Sequence, residues 1–391
     1  MSQPAALYVH FPLCVSVCPY CDFVVYGGKD ARGPQNRIAD LVDALAVEIC
    51  LRAVPGSNLG SVYFGGGTPS LMSAAQVERL LAAADAAFGL QPDAETTIEA
   101  NPGGGERGDL AGFRAAGVNR LSIGAQSFDA TELKRLGRRH SPADISATVR
   151  GARHAGFANI SLDLLYDVPG QTIDSWRDTL AGTLALQPDH ISAYALTLDD
   201  PDAEGITGPT GDHLPLRPGS RRWRTRASSE QDADRAAEMY EIADDAFAAA
   251  GLQWYELSNW SFPGKESRHN LAYWRGDAWA AVGPGAHAFD GERTRRWNAA
   301  RLDTYLVALS TGDLPPGDSV TIDVATAQAE RAMLALRTGS GLPVGDTPEI
   351  ESVIAWGTEE ALLESDESVV RLTRRGRLLS NELFARLLPA A

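Results

Sequence analysis

Three of the four cysteines in this 391-residue chain, Cys14, Cys18 and Cys21, stand in a Cys-x-x-x-Cys-x-x-Cys spacing. In a reducing compartment such a cluster reads as a metal site before it reads as a disulfide framework. Three thiolates on one short loop can hold three irons of a four-iron cluster, and the missing fourth ligand leaves one iron open to a small molecule. Zinc is the alternative, although zinc sites more often use paired Cys-x-x-Cys knuckles and four protein ligands. Simple packing of the thiols is the third reading. Cys50, in a helix-like stretch, reads as a small buried apolar residue.

The elements around the cysteines repeat one unit: a short apolar run, a Gly-rich or polar turn, then an amphipathic helix. Strand-like runs occupy residues 6–11, 61–64, 96–100, 120–125, 159–164 and 190–196. Helix-like stretches cover 38–52, 73–88, 110–116, 142–155 and 173–185. That alternation predicts βαβ crossovers and a parallel α/β sheet, with chemistry beyond the C-terminal ends of the strands. Residues 1–198 therefore read as one β/α core. Residues 199–231, rich in Pro, Gly, Asp and Arg without period, read as an irregular insertion. Residues 232–300 read as a helix plus an aromatic-rich region packing on the core. Residues 301–391 read as a mainly helical C-terminal domain.

Composition narrows the function. Hydrophobic residues make up 44% and charged residues 22% of the chain, as in ordinary globular proteins. The formal net charge of −16 argues against nucleic acid as a partner, because phosphate binding needs a basic surface. No apolar run approaches the ~18 residues of a membrane span. Residues 1–11 lack a basic stretch followed by an apolar one, so a cytoplasmic location is expected, with peripheral membrane contact left open.

The residues that end the strand-like runs are the candidates for ligand contact. Phe64-Gly65-Gly66-Gly67-Thr68-Pro69 exposes bare backbone to a close-approaching ligand, or makes a tight turn. Glu99 could hold an ammonium or a ribose hydroxyl, or serve as a cap. Gln126 and Asp163 end the fourth and fifth runs, and Arg138 follows in Leu-Gly-Arg-Arg-His.

The stretch Tyr8-Val-His-Phe-Pro-Leu-Cys14-x-x-x-Cys18-Pro-Tyr-Cys21-Asp-Phe resembles the radical S-adenosylmethionine (SAM) superfamily. The resemblance extends over most of the chain. It implies a partial (β/α)6 barrel carrying a [4Fe–4S] cluster on Cys14, Cys18 and Cys21. SAM would chelate the fourth iron through its amino and carboxylate groups, and one electron from the cluster would cleave it to a 5′-deoxyadenosyl radical. The residues that resemble the family's SAM contacts are Tyr8, Tyr20, Gly66, Gly67, Thr68, Glu99, Gln126, Arg138 and Asp163. Whether one or two SAM molecules bind is left open. Asp167 departs from the pattern, standing where Gly is usual.

Two branches of the superfamily come closest. One is the oxygen-independent coproporphyrinogen III oxidases, and the other is the HemW-type haem chaperones. The oxidases carry a fourth cysteine two residues past the third, where this chain has Phe23, and a long arm before the tyrosine that is residue 8 here. The stretch ending His269-Asn270-Leu-Ala-Tyr273-Trp274 resembles the chaperones' H-N-x-x-Y-W haem motif. A neutral imidazole is a good axial ligand for haem iron. Tyr273, Trp274 and Trp279 offer flat apolar surface, and Arg268 and Arg275 could meet the propionates. One histidine among aromatics is ordinarily core, and the full motif shifts the reading to haem. His287 is a secondary candidate. The resemblance thus implies, with an oxygen-independent coproporphyrinogen III oxidase as the alternative, a haem chaperone without coproporphyrinogen oxidase activity. It would hold a SAM-liganded cluster and pass haem to respiratory haem proteins. The sequence leaves dimerisation, the haem acceptor and SAM cleavage open.

Overall fold

The computed structural model describes residues 3–33, 35–198, 211, 213–345 and 350–388. The six predicted strands all form: β1 (Ala6–Phe11), β2 (Leu59–Gly66), β3 (Leu90–Ala100), β4 (Arg120–Gln126), β5 (Ile160–Tyr166) and β6 (His190–Ala195). They lie side by side in sequence order, every neighbouring pair parallel. The helices α1 (Ile38–Leu51), α2 (Ala74–Phe88), α3 (Leu110–Ala115), α4 (Ala130–Arg135), α5 (Pro142–His154) and α6 (Ile173–Ala185) make the crossovers. Ser73, Ser141 and Thr172 start α2, α5 and α6 with reciprocal capping boxes, so these boundaries follow from local side-chain chemistry.

The strands alternate in character. Leu7, Val9, Val62, Phe64, Ile98, Leu121, Ile123, Ile160, Leu162 and Ile191 are buried in one core against the helices. The alternate positions form a polar inner face, because successive side chains on a strand point to opposite sides. One rung pairs Tyr8, Tyr63, Thr97 and Arg120. A second pairs Glu99, Ser122, Ser161 and His190, and a third pairs Gly124, Asp163, Ser192 and Asn259.

The sheet is wider than the six units. Strand β7 (Gln253–Glu256) and strand β8 (Asn259–Ser261) add antiparallel to the β6 edge. At the other edge β9 (Trp279–Val282) pairs parallel with β1, followed by antiparallel β10 (His287–Phe289), β11 (Thr294–Asn298) and β12 (Gly317–Thr321). The result is one twelve-stranded sheet. The reading of residues 199–226 as patternless falls partly on 199–210 and 212, outside the described residues. Within the rest, α7 (Pro218–Ser228) is a helix. Its arginines hid the apolar period. Helix α8 (Ala233–Ala249) then leads to β7. Beyond β12, α10 (Leu302–Ser310) having packed on α1, the chain builds a second apolar cluster. Helices α11 (Val324–Leu336) and α12 (Glu351–Glu359) and the strands Leu363–Ser365 and Val369–Leu372 contribute to it. Leu336, Leu363, Leu372 and Leu383 are buried there.

Two details correct the sequence reading. Cys50 is exposed, not buried: it lies on the solvent side of α1. Asp167 adopts φ 55°, the left-handed conformation that glycine normally supplies. Its carboxylate is paired with Arg235 at 2.5 Å, which anchors the turn without glycine.

One buried carboxylate ties the added strands to the core. Glu48 of α1 accepts from Arg52 Nε (2.6 Å), Asn298 Nδ2 (2.8 Å), the Gly283 N–H (2.8 Å) and Tyr305 Oη (2.7 Å). A Glu48→Ala change removes the acceptor all four share, leaving Tyr305 Oη and the Gly283 N–H without this partner. We expect it to lower unfolding free energy by about 3–5 kcal/mol in urea titration.

Candidate functional site

A cavity of about 430 Å³ opens at the C-terminal ends of the parallel strands, where such sheets place their chemistry. Cys14, Cys18 and Cys21 line one wall. Gly66, Gly67, Glu99, Gln126, Arg138, Asp163 and Tyr20 line the rest. The structure therefore gathers the three cysteines and most of the predicted SAM contacts around one space. Asn270 of the haem motif reaches the same cavity.

The loop bearing the cysteines is held from several sides. The glycine run lies directly against it: the Gly67 N–H donates to the Phe11 carbonyl at 2.8 Å and the Thr68 N–H to the Leu13 carbonyl at 3.0 Å. A Cβ on Gly67 would sit 2.8 Å from the Pro12 carbonyl carbon, so the close approach requires glycine. Thr68 Oγ1 donates to Cys14 Sγ at 3.5 Å and accepts from Asn101 Nδ2 at 3.0 Å. Arg138 donates to Asn101 Oδ1 at 2.5 Å and to Cys18 Sγ at 3.8 Å. On the outer side the buried Arg224 of α7 donates to the Tyr20 carbonyl at 2.7 Å and pairs with Asp22. The helix in the insertion is thus a brace on the cysteine loop.

The chemistry of this donor set suits an iron–sulfur cluster. Burial pushes the Cys14 thiol up to about 11 and the Cys21 thiol to about 12, so bare thiolates are disfavoured there. A cationic iron centre would supply the missing counter-charge, and the Thr68 and Arg138 donors would stabilise its sulfurs. Among the described residues no group of three or more His, Cys, Asp or Glu side chains could hold a single metal ion. A cubane, by contrast, takes each cysteine to a different iron.

The opposite wall is a charged floor without water-exposed partners. Glu99 accepts from Tyr63 Oη at 2.9 Å and from the Gly66 N–H at 3.0 Å. Burial, reinforced by the nearby Asp163 charge, raises its pKa to about 7. Asp163 is raised too, chiefly by burial, against hydrogen bonds from Ser192, Ser122 and Ser161. Arg120 also lines the cavity, 2% exposed, with its Nε lacking any hydrogen-bond partner. Gln126 sits at a register shift between β4 and β5 with φ 68°, a strained conformation of the kind that gathers at ligand sites. Two half-buried carboxylates beside an under-satisfied guanidinium match a ligand that brings both charge signs and hydroxyls.

The predicted haem-motif residues ride on a short helix, α9 (Arg268–Trp274), packed under β2 and β3. Glu95 of β3 accepts the Arg268 N–H (3.1 Å), the His269 N–H (3.1 Å) and Ser267 Oγ (3.4 Å). His269 is 1% exposed. Its Nδ1 meets Ser61 Oγ at 2.9 Å and its Nε2 meets Tyr273 Oη at 2.7 Å. Burial first, and the Arg120 charge second, lower its pKa to about 3, so the imidazole is neutral. Tyr273 stacks edge-on against Trp279 at 4.6 Å. Trp274 lies under the Arg337 guanidinium of α11 at 4.6 Å, its indole N–H buried without a partner. Arg268 is committed to Asp93 and Gln91, and His287 stacks on Trp297. Tyr8 and Thr68 stand behind the cavity wall: Tyr8 Oη bonds His10 Nδ1 at 3.0 Å.

Sequence reasoning missed Tyr63, Glu95, Asn101 and Arg120. Their signal was the polar residue at every second position of strands covered on both sides, which a simple apolar strand would not show.

These features define a radical SAM protein, and the comparisons agree. Residues 8–181 match the Radical SAM superfamily. A heme chaperone HemW of Mycobacterium tuberculosis is 35% identical over 99% of this chain and 95% of its own length. One from Bacillus subtilis is 31% identical over 97% and 98%. The solved coproporphyrinogen III oxidase (HemN) of Escherichia coli superposes with a TM-score of 0.79 at 23% identity, covering 99% of this chain and 90% of that one, which speaks for a shared fold. Within the superfamily, the chain belongs to the heme chaperone HemW family.

Glu99 gives a pH test. Its folded-state value of about 7 lies above the ordinary 4.5, so its contribution to stability is full below pH 4.5 and lost as pH rises through 7. A Glu99→Gln chain without cofactors should therefore be more stable than wild type at pH 8, by about 2–3 kcal/mol. The advantage should vanish near pH 4.5 in urea titrations.

Proposed function

We propose that this chain is a cytoplasmic haem chaperone. It holds a [4Fe–4S] cluster on Cys14, Cys18 and Cys21, with SAM in the adjoining cavity, and delivers haem to respiratory haem proteins. The observation that carries the reading is the joining of two parts in one interior. The cysteine-lined cavity and the H-N-x-x-Y-W helix share a wall, with Asn270 reaching the cavity and His269 seated on β2. The HemW names of relatives that match nearly the whole chain support it. The coproporphyrinogen oxidase reading rests on fold likeness alone.

The cluster supplies a redox-active iron open to SAM when bound. The chain's own residues do the rest. Arg138 and Thr68 hold the cysteine sulfurs, and the glycine run leaves room for SAM against the loop. Glu99 and Asp163 offer acceptors to its ammonium and ribose hydroxyls, and the Arg120 charge favours their ionised forms against the opposing effect of burial. His269 would hold haem iron through a neutral imidazole, which requires Tyr273 Oη to give up Nε2. Tyr273, Trp274 and Trp279 would then offer flat apolar surface to the porphyrin.

Anaerobic haem titration of the cluster-loaded chain, followed by Soret absorbance, tests the reading. Saturation near one haem per chain is expected, with weakened binding or an altered spectrum in His269→Ala. Unsaturable uptake, or identical behaviour of the two proteins, would sink the haem assignment.

A further inference from the structure

The interior of the sheet contains one side chain that touches both halves of the site. Tyr63 stands at an inward position of β2. Its hydroxyl donates to Glu99 Oε1 at 2.9 Å, and Glu99 Oε2 in turn accepts the Gly66 N–H of the glycine run. Its ring lies 5.0 Å from the His269 imidazole, at 31° between planes. The Tyr8 ring is stacked on that of Tyr63 at 6.2 Å and 29° and also stands 6.3 Å from the His269 ring, so the three rings form one cluster. Tyr8 leads through its 3.0 Å bond to His10 Nδ1, and His10 Nε2 reaches the Val24 carbonyl at 2.8 Å, just past the cysteine loop.

Space around the ring is tight. A Cβ on Gly65 would fall 2.9 Å from the Tyr63 ring and 2.9 Å from the Tyr8 ring. Close-packed interiors transmit displacement instead of absorbing it. The ring borders the cavity on one side, so a shift of the Glu99 carboxylate can carry the phenol with it through their hydrogen bond, and the phenol lies against both His269 and Tyr8. The other anchor of the haem-motif helix, Glu95, is different in kind. It is buried against the helix backbone and does not line the cavity, so it holds α9 whatever the cavity contains.

We propose that Tyr63 is a positioning residue that couples occupancy of the cluster-side cavity to the haem-binding state of His269. The inference rests on the functional reading above. A ligand that offers an ammonium or hydroxyls to Glu99 favours the ionised carboxylate. An ionised acceptor strengthens and shortens the phenol–carboxylate bond. That bond fixes the Tyr63 ring beside His269 and so alters how readily the imidazole leaves Tyr273 and Ser61. With the cavity empty, the bond is weaker and the ring freer. Such coupling is a free energy shared by both ligands, so it acts equally in both directions.

The test is a thermodynamic box on the full, cluster-loaded chain under anaerobic conditions. Haem is titrated with and without saturating SAM by Soret absorbance, and SAM is titrated with and without haem by equilibrium dialysis. For wild type we expect SAM to change haem affinity by about fivefold or more, and haem to change SAM affinity by the same factor. Tyr63→Phe keeps the ring and deletes only the donor. It should retain haem binding in the absence of SAM while the reciprocal shift collapses toward one. Ser61→Ala, which removes the other His269 bond without touching Glu99, should weaken haem binding but preserve the shift. A purely structural role for Tyr63 would change affinities and leave the coupling factor intact, and that result overturns the proposal. So does a wild-type chain that binds haem with no SAM-dependent shift, an outcome that leaves the chaperone reading standing. A wild-type chain that takes up no haem saturably removes both.

Discussion

A parallel sheet that turns polar side chains inward must satisfy them without water, and this constraint governs the molecule. Most inward groups here are answered by another: Glu99 by Tyr63 and Gly66, Asp163 by three serines, His190 by Ser161 and Tyr255, His269 by Ser61 and Tyr273. Unpaired buried polar groups are costly, so such a lattice moves as a unit or not at all. Thr97 Oγ1 and Asn259 Oδ1 lack a partner, and so does the Nε of Arg120, which lies on the cavity floor, where a ligand can complete it. The raised carboxylate of Glu99 is likewise held at a cost to stability, as residues kept for function often are.

The additions to the core serve the same site. β9 extends the sheet beside β1, the strand that leads into the cysteine loop, and Glu48 locks that extension to α1. Helix α7 braces the loop from outside through Arg224. The C-terminal unit reaches the haem-motif helix through Arg337 on Trp274. Three segments far apart in sequence thus converge on the region that holds the cysteine loop and the His269 helix.

Much of this was legible in the sequence. The six βα units follow from apolar runs and capping residues, and the cysteine spacing marked the loop that lines the cavity. The glycine run, Glu99, Gln126, Arg138 and Asp163 were legible as strand-end polar residues, and the cavity gathers them. What escaped was long-range. β9 is a four-residue strand, Trp-Ala-Ala-Val, too short and plain to be read before its parallel partner nearly the whole chain away is known. α7 is so rich in arginine that its apolar positions, Trp223 and Ala227, show no period, while its Arg224 reaches the cysteine loop. Cys50 read as buried because α1 is apolar, yet it falls on the helix's outer face. For His269 the motif suggested a haem role, whereas its two hydroxyl partners come from β2 and the next helical turn, which only the fold brings together.

The central claim is that the cysteine loop carries a cluster with one iron open toward the cavity. Electron paramagnetic resonance of the anaerobically reconstituted, reduced chain tests it most directly. The account predicts a [4Fe–4S] signal that changes on adding SAM and is lost in Cys18→Ala. A reconstituted chain that holds only a mononuclear metal, or a cluster signal indifferent to SAM, would contradict it.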